Sequence, residues 1–168
     1  MARVFEEEPS WPAADERRVV FLLDAASTLE RRLLDDWIAR NRPSGNGAAF
    51  EAVAIPPSRR RHRGRLDPRL EASLATGDDP LMAPLRVAWL PEQRDGVRAA
   101  RLADLLTIGD PRDPSRLGAV WLLNRHPDRC RIVAGEPARV SELRARWQRA
   151  GGADSGQTAG LPEFVARQ

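Results

Sequence analysis

A short apolar run near the N-terminus constrains the fold more than any other feature of this sequence. Val19 to Leu23 comprises five consecutive apolar residues with β-branched and aromatic side chains, the pattern of a strand buried on both faces. Asp24-Ala25-Ala26 follows as a turn, and Ser27 with Glu30 three residues later forms a capping-box pattern. The run therefore predicts a buried strand that enters a helix through a short turn.

The next segment extends this strand into a βαβ unit. A helix is predicted from Ser27 to about Arg40, and a second strand from Phe50 to Ile55, where Pro56-Pro57 stops it. Strand, helix and strand at this spacing predict parallel strands joined by a right-handed crossover. The apolar stripe of the helix consists of Leu29, Leu33, Leu34, Trp37 and Ile38.

The remainder of the chain continues to alternate helices and strands. A short helix is predicted over Pro68–Ala75, and a third strand over Leu85–Leu90. The later predicted elements are a weak helix from Ala99 to Leu106, a helix from the N-cap Asp113 to Asn124, a strand Arg131–Ala134 and an amphipathic helix Pro137–Arg149. This order predicts an α/β fold with a small, mainly parallel sheet flanked by helices.

Three segments are expected along the chain. Residues 1–16, acidic and proline-containing, are predicted to be a flexible lead without the pattern of a signal peptide. Residues 17–150 hold the α/β domain. Residues 151–168 are predicted to be a Gly-, Ser- and Ala-rich linker and the start of a truncated helix.

Composition narrows the classes of function. All 27 basic residues are arginine, which a GC-rich genome or selection for phosphate and carboxylate recognition would each explain. Cys130 is the single cysteine, so neither an intrachain disulfide nor a cysteine-based zinc site is expected. No apolar run approaches the ~20 residues that span a bilayer, so any membrane contact is expected to be peripheral. Phosphate-binding glycine motifs are absent, and no cofactor or metal is predicted.

The five tryptophans and the segment Arg59–Arg65 are candidate binding residues. Four tryptophans, at positions 37, 89, 121 and 147, fall on apolar faces of predicted elements, which favours core packing over an aromatic membrane belt. Arg59–Arg65 carries five arginines and fits a solvated loop, a surface for anionic lipid or, less well, a nucleic-acid contact. The absence of interleaved aromatic residues weakens the last interpretation, and no nucleic-acid partner is predicted.

Three stretches resemble the N-terminal region of actinobacterial glycerol-3-phosphate 1-O-acyltransferases. They are Val87–Pro91, Gly109–Ser115 and, most specifically, Arg131–Arg144 completed by Trp147. The tail Glu163–Arg167 resembles the helix that leads to the catalytic region of the family, and the likeness covers about residues 17–168.

The resemblance implies a parent enzyme that uses acyl-CoA or acyl carrier protein and glycerol-3-phosphate to make lysophosphatidate at the cytoplasmic face of the membrane. The catalytic histidine and aspartate of the family lie in a later domain, so this chain is expected to be inactive by itself. His62 and Asp67 show the family's H-x-x-x-x-D spacing but match a variable connection, and no catalytic role is assigned to them. A stand-alone, non-catalytic binding or interaction module is the alternative.

Overall fold

The apolar run near the N-terminus forms the central strand of a five-stranded sheet. The computed structural model describes residues 9–12, 17–43, 49–57, 66–91, 93–94, 97–98, 114–152 and 160–167. The strands are β1 (Arg18–Asp24), β2 (Ala49–Ile55), β3 (Leu81–Trp89), β4 (Gln93–Arg94), β5 (Val97–Arg98), β6 (Cys130–Ala134) and β7 (Ala138–Arg139). The helices are α1 (Thr28–Asn41), α2 (Pro68–Ala75), α3 (Arg116–Arg125), α4 (Val140–Trp147) and α5 (Leu161–Val165).

The predicted α/β class is confirmed, with a mixed and mostly parallel main sheet. Its strand order is β2-β1-β3-β6, and β7 pairs with the other end of β3 on the same side as β6. β1 runs parallel to β2 and to β3, whereas β6 and β7 run antiparallel to β3. The predicted β1-α1-β2 unit is therefore present, and β4 and β5 form a separate two-stranded sheet.

Helices cover both faces of the sheet because both faces of β1 are apolar. Val19, Phe21 and Leu23 belong to one core with side chains of α1 and α3. Val20 and Leu22 belong to a second core with side chains of α2, α4 and α5. The alternation of side chains along a strand produces this division into two cores.

An aromatic cluster fills the first core beside β2. Trp37 is fully buried, and its ring lies 6.1 Å from that of Phe21 and 6.2 Å from that of Trp11. Trp11, which the sequence placed in the flexible lead, contacts Phe21 at 4.9 Å and Phe50 at 6.2 Å between ring centroids. Of the α1 stripe, Leu34, Trp37 and Ile38 are buried, whereas Leu33 is half-buried.

The caps of α1 and α2 are close to their helices in sequence, whereas a distant carboxylate caps α4. Ser27 Oγ accepts the Glu30 N–H at 3.2 Å, as the capping pattern predicts. Asp67 caps the predicted helix α2 by accepting the Arg69 N–H at 3.0 Å. The N-terminus of α4 is instead capped by Asp79, whose carboxylate accepts the backbone N–H of Ser141 at 2.7 Å and its hydroxyl at 2.8 Å.

Two predicted helix starts were wrong. The N-cap of α3 is Ser115, which accepts the Gly118 N–H at 3.2 Å, rather than Asp113. The predicted helix Pro137–Arg149 begins only at Val140, because Ala138 and Arg139 pair with β3 as β7. The predicted helix Ala99–Leu106 lies outside the described residues.

The third strand begins at Leu81, four residues before its predicted start, and includes Pro84, a residue that normally interrupts a strand. Pro84 accepts the Gly135 N–H at 2.9 Å, so this residue faces the gap between the end of β6 and the start of β7. Proline has no backbone N–H to donate, and at this gap neither β6 nor β7 pairs with that position, so no sheet hydrogen bond is lost. A Cβ on Gly135 would lie 3.1 Å from the Pro84 Cβ, so this close approach favours glycine.

The expected division into residues 1–16, 17–150 and 151–168 stays a prediction. On the C-terminal side of residue 150, Leu161 and Val165 of α5 are buried in the second core. Helix α5 contacts α2 and α4.

We expect Trp37→Ala to lower the free energy of unfolding by on the order of 3–5 kcal/mol, because it removes a fully buried indole from the first core. The Trp37 Nε1 has no hydrogen-bond partner among the described side chains, so the loss is one of packing. Urea denaturation followed by circular dichroism measures the difference. Trp121→Ala is the control, since Trp121 is 46% exposed and should cost less than about 1 kcal/mol. Equal losses of unfolding free energy in the two variants would contradict the assignment of Trp37 to the buried side of α1.

Candidate functional site

Buried charges gather at the edge of the sheet where β1 and β3 end. Asp24 is 8% exposed, Glu30 is 3% exposed and Arg129 is 5% exposed, and the fourth buried polar residue of the described part is Ser73. Asp24 ends β1, and Arg129 directly precedes β6, whose first residue pairs with Trp89 at the end of β3. Because ligands of α/β folds bind at the carboxyl edge of the strands, this carboxyl-edge cluster is the first candidate site.

Glu30 is held between two elements by short hydrogen bonds. Its Oε1 accepts the Trp89 Nε1–H at 2.7 Å, and its Oε2 accepts the Ala26 N–H at 2.7 Å. The capping pattern predicted a bond from Glu30 back to the Ser27 N–H, but the carboxylate lies one residue further back and also reaches β3. Glu30 thus links the N-terminus of α1 to the C-terminus of β3 across 59 residues of sequence.

Arg129 makes a second link at the same edge. Its Nε–H donates to the Leu90 carbonyl oxygen at 3.0 Å, and its own carbonyl oxygen accepts the Leu90 N–H at 2.7 Å. These bonds fix the residue that follows β3 against the 3₁₀ turn Pro127–Arg129. No sequence motif identified Arg129, because its partner is a backbone group 39 residues away.

This geometry fits a structural cluster better than a catalytic one. Both Glu30 oxygens accept hydrogen bonds from the protein itself, and a carboxylate already occupies the end of α1 where a phosphate would otherwise be favoured. Within the described ranges, no group of three or more His, Cys, Asp or Glu residues could hold a metal ion. Cys130, next to Arg129, is fully buried in the first core, as its apolar surroundings predict.

The opposite edge of the parallel strands carries an ion-pair network. Arg18 donates to Asp78 at 2.9 Å and lies 3.5 Å from Glu51, which also accepts the Ser73 hydroxyl at 3.2 Å. The hydrogen bond from Arg18 lowers the pKa of the Asp78 carboxyl below its ordinary value. The network joins the starts of β1 and β2 to the end of α2.

The histidines and Asp67 show no catalytic arrangement. Asp67 is the α2 N-cap and pairs with Arg69 at 2.7 Å, and this side-chain hydrogen bond lowers the pKa of Asp67. His62 and the segment Arg59–Arg65 lie outside the described residues. His126 follows α3, as its predicted place at a helix C-terminus requires, and its ring centroid lies 5.4 Å from that of Trp121.

The outer side of α3 is the second candidate site. Leu117 is 84% exposed, Val120 47% and Trp121 46%, and these are the large exposed apolar side chains of the described part of the chain. Ala119 and Leu122 are the buried residues of this helix. Core packing, predicted for four tryptophans, holds for Trp37 and Trp89, which are buried, and for Trp147, which is half-buried against the second core. It is wrong for Trp121.

Comparison with known proteins assigns no family to this chain. No protein-family model matches it, and no solved structure matches it either. The functional interpretation therefore depends on the residues and their arrangement.

We expect Glu30→Ala to lower the free energy of unfolding by about 2–3 kcal/mol, because it leaves a buried indole N–H and the Ala26 N–H without their acceptor. Glu71→Ala, on the exposed side of α2, should change it by less than about 0.5 kcal/mol. Denaturant titration measures both. An unchanged stability of Glu30→Ala would show that the carboxylate does not hold the fold and would favour a ligand-binding role.

We expect Asp78→Asn to reduce the loss of stability that acid causes. The folded-state pKa of Asp78 is below its ordinary value, so the ionised carboxyl stabilises the fold above the ordinary Asp pKa of about 3.9. That contribution disappears as the pH falls through the folded-state pKa. Urea midpoints at pH 6 and at pH 2.5 should differ less in Asp78→Asn than in the parent. Since the hydrogen bond from Arg18 is the largest cause of the lowered pKa, Asp78→Asn should have a smaller effect in an Arg18→Gln background, and an undiminished effect there would contradict the prediction.

Proposed function

We propose that this chain is the non-catalytic N-terminal α/β domain of a glycerol-3-phosphate 1-O-acyltransferase. Such an enzyme transfers a fatty acyl group from acyl-CoA or acyl carrier protein to glycerol-3-phosphate and gives lysophosphatidate for phospholipid synthesis. In this proposal the catalytic histidine and aspartate belong to a following domain. The observation that carries the proposal is the resemblance of Arg131–Arg144 and Trp147 to that N-terminal region.

The fold supports the proposal because two stretches that carry the resemblance meet in space. Val87 pairs with Ile132 and Trp89 pairs with Cys130, so the matching end of β3 lies directly against β6. The remainder of the Arg131–Arg144 match supplies β7, which pairs with the start of β3, and most of α4. The two stretches thus belong to one hydrogen-bonded unit of the domain.

The side-chain chemistry supports a non-catalytic role for this domain. The buried carboxylate of Glu30 is engaged by two N–H donors, and the Asp67 carboxylate caps a helix. A general base needs an acceptor that is open to substrate. These carboxylates are engaged by the protein itself.

The proposal also places the domain at the cytoplasmic face of the cell membrane, bound peripherally to an anionic surface. In the described part of the chain, no helix has the length and apolar character to cross a bilayer.

A stand-alone interaction module is the second candidate. The exposed apolar side of α3 favours it, because an apolar patch on a surface commonly marks a contact with a partner. The DNA sequence beyond the Gln168 codon separates the two candidates, since only the acyltransferase proposal requires an in-frame H-x-x-x-x-D block there.

We expect the purified chain to give no acylated product from labelled glycerol-3-phosphate and palmitoyl-CoA, because it lacks the catalytic block. We expect it to restore activity when it replaces the N-terminal region of a full-length acyltransferase whose activity falls on deletion of that region. The matched control is the same chimera with Trp37→Ala, which should lose activity as its α/β domain unfolds. Turnover by the isolated chain, or a chimera no more active than the deletion variant, would contradict the proposal.

A further inference from the structure

Helix α3 presents apolar side chains on two opposite sides. Ala119 and Leu122 enter the first core, whereas Leu117, Val120 and Trp121 lie on the outside. An exposure of 84% for Leu117 is unusual for a leucine beside two other exposed apolar residues. We call Leu117, Val120 and Trp121 the outer face of α3.

Arginines flank the outer face on both sides. At about 100° per residue, Arg116 and Arg125 lie roughly 90° to either side of the stripe formed by Leu117, Val120 and Trp121. Both arginines are exposed, and the helix Arg116–Arg125 contains no acidic residue. The exposed Asn124 lies on the same side, at the C-terminal end of this stripe. Apolar side chains flanked by arginines suit a membrane interface, where guanidinium groups meet lipid phosphate.

The size and chemistry of the outer face favour a membrane over a second copy of the chain. A ten-residue helix is about 15 Å long and about 10 Å wide, far short of the roughly 800 Å² per partner of a stable protein interface. Two copies would also bring their flanking arginines together. A tryptophan between arginines suits the headgroup region, where the indole is partly solvated and arginine meets anionic phosphate.

We propose that the outer face of α3 docks on an anionic membrane surface, with Leu117 and Trp121 inserted among the headgroups and Arg116 and Arg125 bound to lipid phosphates. This docking surface extends the proposed function and rests on it in part, because a membrane enzyme would bring the domain to a lipid surface. It is separate from the segment Arg59–Arg65, for which anionic lipid was one interpretation of the sequence.

The test measures partition of the full chain onto vesicles of phosphatidylcholine alone and with phosphatidylglycerol, by co-sedimentation at low and at physiological salt. Leu117→Ser/Trp121→Ser removes the apolar contact, and Arg116→Gln/Arg125→Gln removes the flanking charge. Arg32→Gln/Arg149→Gln is the matched control, because it removes the same charge from two exposed arginines of other segments. Circular dichroism should show that all variants keep the fold, since every substituted side chain is at least 46% exposed or is an exposed arginine.

We expect the parent to bind vesicles that contain phosphatidylglycerol and to bind less at higher salt. The partition coefficient should fall roughly tenfold in Leu117→Ser/Trp121→Ser and roughly fivefold in Arg116→Gln/Arg125→Gln, and it should change by less than about twofold in the control. Acrylamide quenching of the parent's fluorescence should decrease on vesicle binding, and a Trp121→Phe variant should lose that decrease.

Three results would overturn the proposal. One is equal binding by the parent and by Leu117→Ser/Trp121→Ser. Another is loss of binding only when Arg59–Arg65 is replaced, which would assign the contact to that segment. The third is a concentration-dependent dimer that disappears in Leu117→Ser/Trp121→Ser, which would identify a second copy as the occupant. An active chimera with no vesicle binding would reject the docking surface alone, whereas vesicle binding with an inactive chimera would reject the acyltransferase assignment alone.

Discussion

The two-sided burial of β1 is the constraint on which the rest of the structure depends. Every residue from Val19 to Leu23 is at most 2% exposed, so neither face of the strand can be left to water. Helices must therefore cover both faces, and elements from both halves of the chain supply them. Parallel pairing follows from the same constraint, because the crossover through α1 returns the chain to the same end of the sheet. The two cores thus form only when distant elements pack together.

Local patterns predicted the elements whose determinants are local. The run Val19–Leu23, the cap Ser27 and the helix Pro68–Ala75 each depend on residues within a few positions of one another. The early start of β3 could not be predicted, because Pro84 is tolerated only by the gap between β6 and β7. The bond from Ser141 to Asp79 at the start of α4 could not be predicted either, because the two residues are 62 positions apart.

The candidate sites were less predictable than the fold, for two physical reasons. The sequence identified Glu30 as part of a capping pattern, but its bond to Trp89 depends on how α1 packs against β3. The helix Arg116–Arg125 is apolar on most of its circumference, so no periodic stripe shows which side faces the core. Tertiary packing decides that Leu122 is buried and that Leu117 and Trp121 are exposed.

The distribution of charge separates stability from function in this domain. A charge taken out of water is costly unless hydrogen bonds replace its hydration, and Glu30 and Arg129 meet this requirement with bonds inside the chain. A side chain committed in this way cannot bind a ligand without loss of the contact that holds α1 or β3. Glu30 and Arg129 therefore serve stability at this edge of the sheet. Leu117, Val120 and Trp121 take no part in these bonds, because the opposite side of α3 packs on the first core through Ala119 and Leu122, with the half-buried Leu123 beside them.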